Sequence, residues 1–174
     1  MATERDLQAR LVGIFQAHRR RVYSYVVSHA GRQFADDVVS ETFVVAWRSI
    51  EKIPADELPW LIGVARNLLR KRYEREARQA SLAVEMRAWI EDVDDIADSV
   101  AQRWAVLEAL ARLSEFDREL LTLVGWHGLS NAQAARVIGC SVATLLVKLH
   151  RARNRLANAM SAVEQSKALI RTEH

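Results

Sequence analysis

The sequence predicts an all-α protein: two small helical domains joined by a flexible acidic linker, the C-terminal one with a helix-turn-helix. Three observations carry this. Apolar residues recur at spacings of three and four along most of the chain, the period of helices that bury one face. Only two prolines, Pro54 and Pro59, and six glycines interrupt the 174 residues, so helix breaks are few and easy to locate. Charge is partitioned: residues 1–78 hold 14 Lys/Arg against 10 Asp/Glu, residues 79–100 hold one basic group against six acidic, and residues 101–174 hold 10 against six. Two basic blocks around an acidic connector fit two nucleic-acid-facing modules on a tether. Chance clustering on a solvated surface produces the same pattern.

The expected organisation is a first domain over 1–78, a linker over 79–100, a second domain over 101–165 and a tail over 166–174. A first helix from Asp6 to about Ser28 carries the stripe Leu7, Leu11, Ile14, Phe15, Val22, Tyr25 and Val26. His18 on that stripe reads as a packed core-edge residue rather than a ligand. Gly31 ends the helix. A second helix from about Phe34 to Ile50 buries Val39, Phe43, Ala46 and Ile50. Another of its faces carries Asp36, Asp37, Glu41, Trp47 and Arg48. An exposed tryptophan among carboxylates suits a docking surface, and reads equally as an ordinary polar face. KIPADELPW (52–60) breaks the period through its prolines. A third helix then begins at Glu57 or Trp60 and runs to Arg75, with Leu61, Val64, Ala65 and Leu68 inward and Arg66, Arg70 and Lys71 along a basic end. Asn67 is mildly unfavourable inside a helix, which marks it as a candidate site residue or a solvated one. Weak periodicity over 79–100 allows a short helix near Leu82–Ile90 and otherwise reads as linker.

In the second domain, Trp104, Leu107, Leu110 and Leu113 share a face, and Ser114 with Asp117 opens a helix carrying Phe116, Leu120, Leu121, Leu123 and Val124. The stretch GLSNAQAARVIGCSVATLLVKLHRARNRL (128–156) follows. Ser130 and Gln133 have capping-box spacing, Gly139 supplies a turn suited to positive φ, and Ser141 caps the next helix. There Val142, Leu145, Leu149, Ala152 and Leu156 form one buried stripe, with Lys148, His150, Arg151, Arg153 and Arg155 mostly off it. A short turn containing glycine and a basic second helix match the DNA-binding helix-turn-helix; a helical hairpin with a solvated basic face is the plainer reading. The chain beyond Val163 reads as frayed.

Several function classes are excluded. No apolar run nears the ~20 residues of a membrane span, and the N-terminus lacks a signal's apolar core. Cys140 is the only cysteine, so an intrachain disulfide and a Cys-rich zinc site are ruled out. GxxxxGK[ST], GxGxxG and HExxH are absent from the sequence. The expectation is a cytoplasmic protein that is no enzyme and has no cofactor, metal, membrane or small-molecule substrate.

The order of pieces resembles the short bacterial RNA polymerase sigma factors of the extracytoplasmic-function group, over about residues 7–78 and 101–160. ADDVVSETFVVAW (35–47) and PWLIGVARNLLRKRYERE (59–76) look like its region two, and LSEFDRELLTLVGWHGLSNAQAARVIGCSVATLLVKLHRARNRL (113–156) like its region four. The resemblance implies that Asp36, Asp37, Glu41, Trp47 and Arg48 bind core RNA polymerase. It implies that the loop 52–60, with Trp60, Arg66, Asn67, Arg70 and Lys71, binds and melts the minus-ten element of promoter DNA. Ser141, Thr144, Val147, Lys148, Arg151 and Arg153 would meet the minus-thirty-five element. The acidic linker would enter a basic channel of the polymerase, and an anti-sigma protein would hold the factor inactive. One departure stands out. Where the family has a basic and a small polar residue, as in VGTVKSRLHRAR, this chain has Leu146 and Val147. That points to an unusual or weak minus-thirty-five preference, or to an apolar patch for a protein partner. Two other readings are a free-standing helix-turn-helix regulator and a helical interaction protein without DNA binding.

Overall fold

A computed structural model describes residues 3–76 and 97–172. The described residues contain seven α-helices, one 3-10 turn and no strand. They form two compact units: one from 3–76 with 132–140, the other from 97–131 with 141–172.

In the first unit, α1 spans Glu4–Ala30, α2 Arg32–Arg48 and α3 Glu57–Glu76, with a 3-10 turn at Ile50–Lys52. Thr3 opens α1 with a full capping box. Its hydroxyl accepts from the Asp6 N–H at 3.3 Å, and the Asp6 carboxylate accepts from the Thr3 N–H at 2.9 Å. Gly31 closes α1 at φ 83°, donating its N–H to the Val27 carbonyl at 3.0 Å; that φ is comfortable only for glycine. Pro59 lies in the first turn of α3, where its missing N–H has no helical partner to lose. The three helices pack against one another. Their core includes Ile14, Val22, Tyr25 and Val26 from α1, Val38, Phe43 and Ala46 from α2, and Leu61, Ile62, Ala65 and Leu69 from α3. Each fully buried Val, Leu, Ile or Phe is worth about 1.5–3 kcal/mol. Phe15, expected inside, is 40% exposed and stands edge-on to Phe43 with ring centroids 4.8 Å apart. It lies at the margin of the stripe, so one ring edge packs and the other faces water. His18 is part-buried and its Nε2 lies 3.0 Å from Glu57 at the start of α3, in keeping with a packing role. The helix α6, Asn131–Ile138, belongs to this unit apart from its first residue.

The second unit holds α4 (Ala97–Ala111), α5 (Glu115–Gly125) and α7 (Val142–Thr172). The sequence places the linker at 79–100; residues 77–96, with the helix considered near 82–90, lie outside the described residues. Leu107 and Leu110 pack with Leu113 and Leu156, and Leu120, Leu123, Leu145, Leu149, Ala152 and Val163 are buried. Leu113 lies past the end of α4. There Arg118 from α5 donates through Nε to the Leu110 carbonyl and through Nη2 to that of Leu113, each at 3.1 Å. One guanidinium thereby binds a carbonyl of the last turn of α4 and one of the turn that follows it, groups that helix ends leave short of partners. Burial pushes the Arg118 guanidinium below its usual pKa, against the pull of Glu115. Ser114 caps α5, accepting from the Asp117 N–H at 3.2 Å.

The structure departs from expectation at two places. Val142, placed on the buried stripe, is 43% exposed: it is the first residue of α7 and precedes the turn that packs. The chain beyond Val163, expected to fray, continues as helix to Thr172, because it contains neither proline nor glycine and is rich in helix formers.

Asp117 and Arg155 form a close ion pair in this unit. Arg155 Nη1 donates to both carboxylate oxygens, at 2.9 and 2.8 Å, and the Asp117 side chain is 7% exposed. Arg155→Met leaves that carboxylate buried without its cation. Arg155 itself is 57% exposed, so the pair is only half desolvated. The expected loss is about 1–3 kcal/mol in urea unfolding, and Asp117→Asn in the same chain should recover most of it.

Candidate nucleic-acid interface

α2 turns one continuous side to solvent. Asp36, Asp37, Ser40, Glu41, Val44, Trp47 and Arg48 are all exposed, Val44 at 46% and Trp47 at 38%. The face therefore ends in an apolar strip, Val44 beside Trp47, one turn along from the carboxylates. Its acidic end is organised from α3. Arg72 reaches Asp37 at 3.5 Å and Glu41 at 3.0 Å. Spacing gives no hint of this pairing, because the partners lie on different helices.

The loop between α2 and α3 is held by a residue far away in sequence. Arg10 of α1 donates from Nη1 to the Ile50 carbonyl at 2.9 Å and from Nη2 to the Ile53 carbonyl at 2.8 Å. Two backbone acceptors in the segment that interrupts the helices are thereby satisfied by one guanidinium. Beyond them a cleft of about 240 Å³ opens, lined by Pro54, Asp56, Pro59, Trp60, Asn67 and Arg136. It brings together two expected site residues, Trp60 and Asn67, which are two turns apart on α3. Arg66 is half-buried, and Arg70 and Lys71 are exposed further along the helix.

Asp56 is a residue the sequence reading did not single out. Its carboxylate accepts from Gln133 Nε2 at 3.1 Å to each oxygen and pairs with Arg136. The Gln133 hydrogen bond is the main force holding the Asp56 carboxyl below its usual pKa; partial desolvation opposes it and Arg136 adds to it. A depressed carboxylate stabilises its contacts above the ordinary value and loses them only as pH falls through the depressed one. The Gln133 side-chain amide signals in an NMR titration should therefore hold steady through the ordinary carboxylate range, near pH 3.9, and move only below it. Asp56→Asn should abolish that step. A transition at the ordinary carboxylate value would show the contact to be absent in solution.

α6 ends at Ile138, and Gly139 turns the chain at φ 78°, as the sequence led us to expect. Ser141 caps α7, accepting from the Thr144 N–H at 3.1 Å while donating to Thr144 Oγ1 at 2.9 Å. Leu145 and Leu149 are buried; Ser141, Thr144, Val147, Arg151 and Arg153 are exposed. Lys148 is half-buried with its Nζ 4.7 Å above the Phe116 ring, a cation–π contact that ties it to α5. Among the described residues no group of three His, Cys, Asp or Glu is placed to hold a metal. No single described helix is long and apolar enough to cross a membrane.

Residues 14–79 match the sigma-70 region 2 family, and residues 103–156 match sigma-70 region 4. The ECF RNA polymerase sigma factor EcfG of Rhodopseudomonas palustris is 35% identical over 135 residues, covering 71% of this chain and 69% of its own. The chain belongs to the sigma-70 family, in the extracytoplasmic-function group. CnrH of Cupriavidus metallidurans, an RNA polymerase sigma factor, is 28% identical over 159 residues, 80% of this chain and 83% of that one. A solved structure of CnrH in complex with the cytosolic domain of CnrY matches with a TM-score of 0.64 at 25% identity, over 89% of this sigma factor and 90% of CnrH. The sigma factor RpoE from Bartonella quintana, solved with the anti-sigma factor NepR, shares the fold with a TM-score of 0.59 at 23% identity, over 90% and 97% of the two chains.

Proposed function

We propose that this sigma factor docks on core RNA polymerase through the exposed face of α2, opens the minus-ten element at the cleft and basic side of α3, and reads the minus-thirty-five element with α7. One observation carries the reading: the chain exposes two faces of opposite character. On α2 the face is acidic and apolar, with Asp37, Glu41, Val44 and Trp47. On α7 it holds Arg151 and Arg153 with no carboxylate from Val142 to Val163. A free-standing regulator needs only the second face.

The contacts then divide by kind. Arg70, Lys71, Arg151 and Arg153 neutralise phosphates and give salt-dependent affinity without sequence preference. Base edges met by the first turns of α7 give specificity. In the cleft, Trp60 offers a ring for stacking and Asn67 an amide for a base edge, so a base that leaves the duplex has a place to go. Melting is favoured because the unstacked state gains these contacts. The chain itself performs no covalent chemistry; polymerase makes the RNA. Such a factor works in the cytoplasm without cofactor or metal. An anti-sigma protein is its expected inhibitor, as NepR is named for RpoE.

The test is run-off transcription by purified bacterial core polymerase on a promoter library at fixed salt, with and without the chain. Transcripts from a defined promoter subset are the expected result. DNA binding by the chain alone with no promoter responding would instead favour the free-standing regulator.

A further inference from the structure

Over its first two turns α7 offers the solvent carbon rather than hydrogen-bonding groups. Val142, Leu146 and Val147 are 43%, 46% and 53% exposed, and Ala143 is exposed beside them. A helix advances about 100° per residue. With Leu145, Leu149 and Ala152 setting the buried direction, Val147 points directly away from it. Ala143 lies one turn before Val147 and Arg151 one turn after. Leu146 stands on one shoulder and Thr144 on the other. The two polar groups in this stretch are engaged locally: the Thr144 hydroxyl lies 2.9 Å from Ser141 Oγ, and the Lys148 ammonium sits over Phe116. No side chain from Val142 to Val147 can make a bidentate hydrogen bond to a base edge. The next turn is polar, with His150, Arg151 and Asn154 exposed and the Asn154 amide 3.2 Å from His150 Nε2.

The charge around this apolar area says what covers it. Arg151 and Arg153 are exposed, and no carboxylate occurs between Val142 and Val163, so the complementary partner is a polyanion. In the major groove the one apolar group that a standard base presents is the thymine 5-methyl. We propose that Val147, with Ala143 and Leu146 beside it, reads thymine methyls in the upstream promoter element, so that specificity there comes from carbon contact instead of a hydrogen-bond code. This rests on α7 being the reading helix and adds which base feature it reads.

The experiment uses holoenzyme assembled from the full chain and bacterial core polymerase. An upstream element is first selected from a randomised duplex library. Each thymine in it is then replaced by deoxyuridine, which removes the methyl and nothing else. Each contacted methyl should weaken promoter binding about three- to fivefold, the worth of one buried methyl-sized group. In the Leu146→Ser, Val147→Ser variant, thymine and deoxyuridine should bind alike; both side chains are exposed, so the fold tolerates the change. A selected element without thymines, or one indifferent to deoxyuridine with the native chain, overturns the proposal and leaves the face to a protein partner. If no element is selected at all, the assignment of α7 as the reading helix fails, and the proposal with it.

Discussion

Reversing Asp37 and Glu41 to arginine together is expected to abolish promoter-dependent transcription while leaving the helical fold in place. The Asp37 side chain is 74% exposed and that of Glu41 46%, so neither supports the core. What changes is the sign of the surface presented beside Val44 and Trp47. Like charges brought together at an interface cost several kcal/mol, and each 1.4 kcal/mol is a factor of ten in affinity. Core polymerase binding should therefore fall by about a hundredfold or more. The complication is Arg72, which bonds both carboxylates and would face two new cations. Adding Arg72→Glu restores attraction between α2 and α3 with the polarity swapped. Since exposed pairs are worth about 0–1 kcal/mol, the triple variant should unfold much like the native chain and still fail to dock. A free-standing regulator predicts the opposite, with promoter binding and activity untouched in both variants. Gel filtration with core polymerase, beside run-off transcription, separates the two.

The features of this chain that were legible in its sequence are those set by neighbouring residues. Ser114 and Ser141 satisfy N–H groups three residues on; Gly31 and Gly139 adopt a φ that other residues resist. These are local chemistry, and so are the stripes of α1, α2 and α5. The exposure of Val142 was not legible, because a periodic stripe carries no information about where packing begins. Nor were Arg10, Arg72 and Asp56 as site residues. Arg10 caps carbonyls 40 and 43 residues away, Arg72 pairs with acids 31 and 35 residues away, and Asp56 binds residues 77 and 80 away. Long charged side chains of this kind cross between elements, and their partners are decided by the tertiary arrangement. The face on α2 was readable as acidic; that an arginine from α3 organises it was not.

Two adjacent leucines offer the sharpest test of how α7 divides its labour. Leu145 is completely buried and Leu146 is 46% exposed. Leu145→Ala removes a buried isobutyl group from the core of the second unit and leaves a cavity, at a cost of about 2–5 kcal/mol. Small domains have only about 5–15 kcal/mol of stability in total, so this variant should lose a large share of the stability of the second unit. Trp104 and Trp126 are in that unit and report its urea transition by fluorescence. Leu146→Ala should shift the same transition by no more than about 0.5 kcal/mol, yet change which upstream elements the holoenzyme selects. The two side chains are one residue and about 100° apart on the helix. One is needed for the fold because it faces inward; the other is free to meet DNA because it does not. If Leu146→Ala proved the more destabilising, the inward and outward faces of α7 would have to be exchanged. The exposed arginines would then point at the core, which the exposure of Arg151 and Arg153 contradicts.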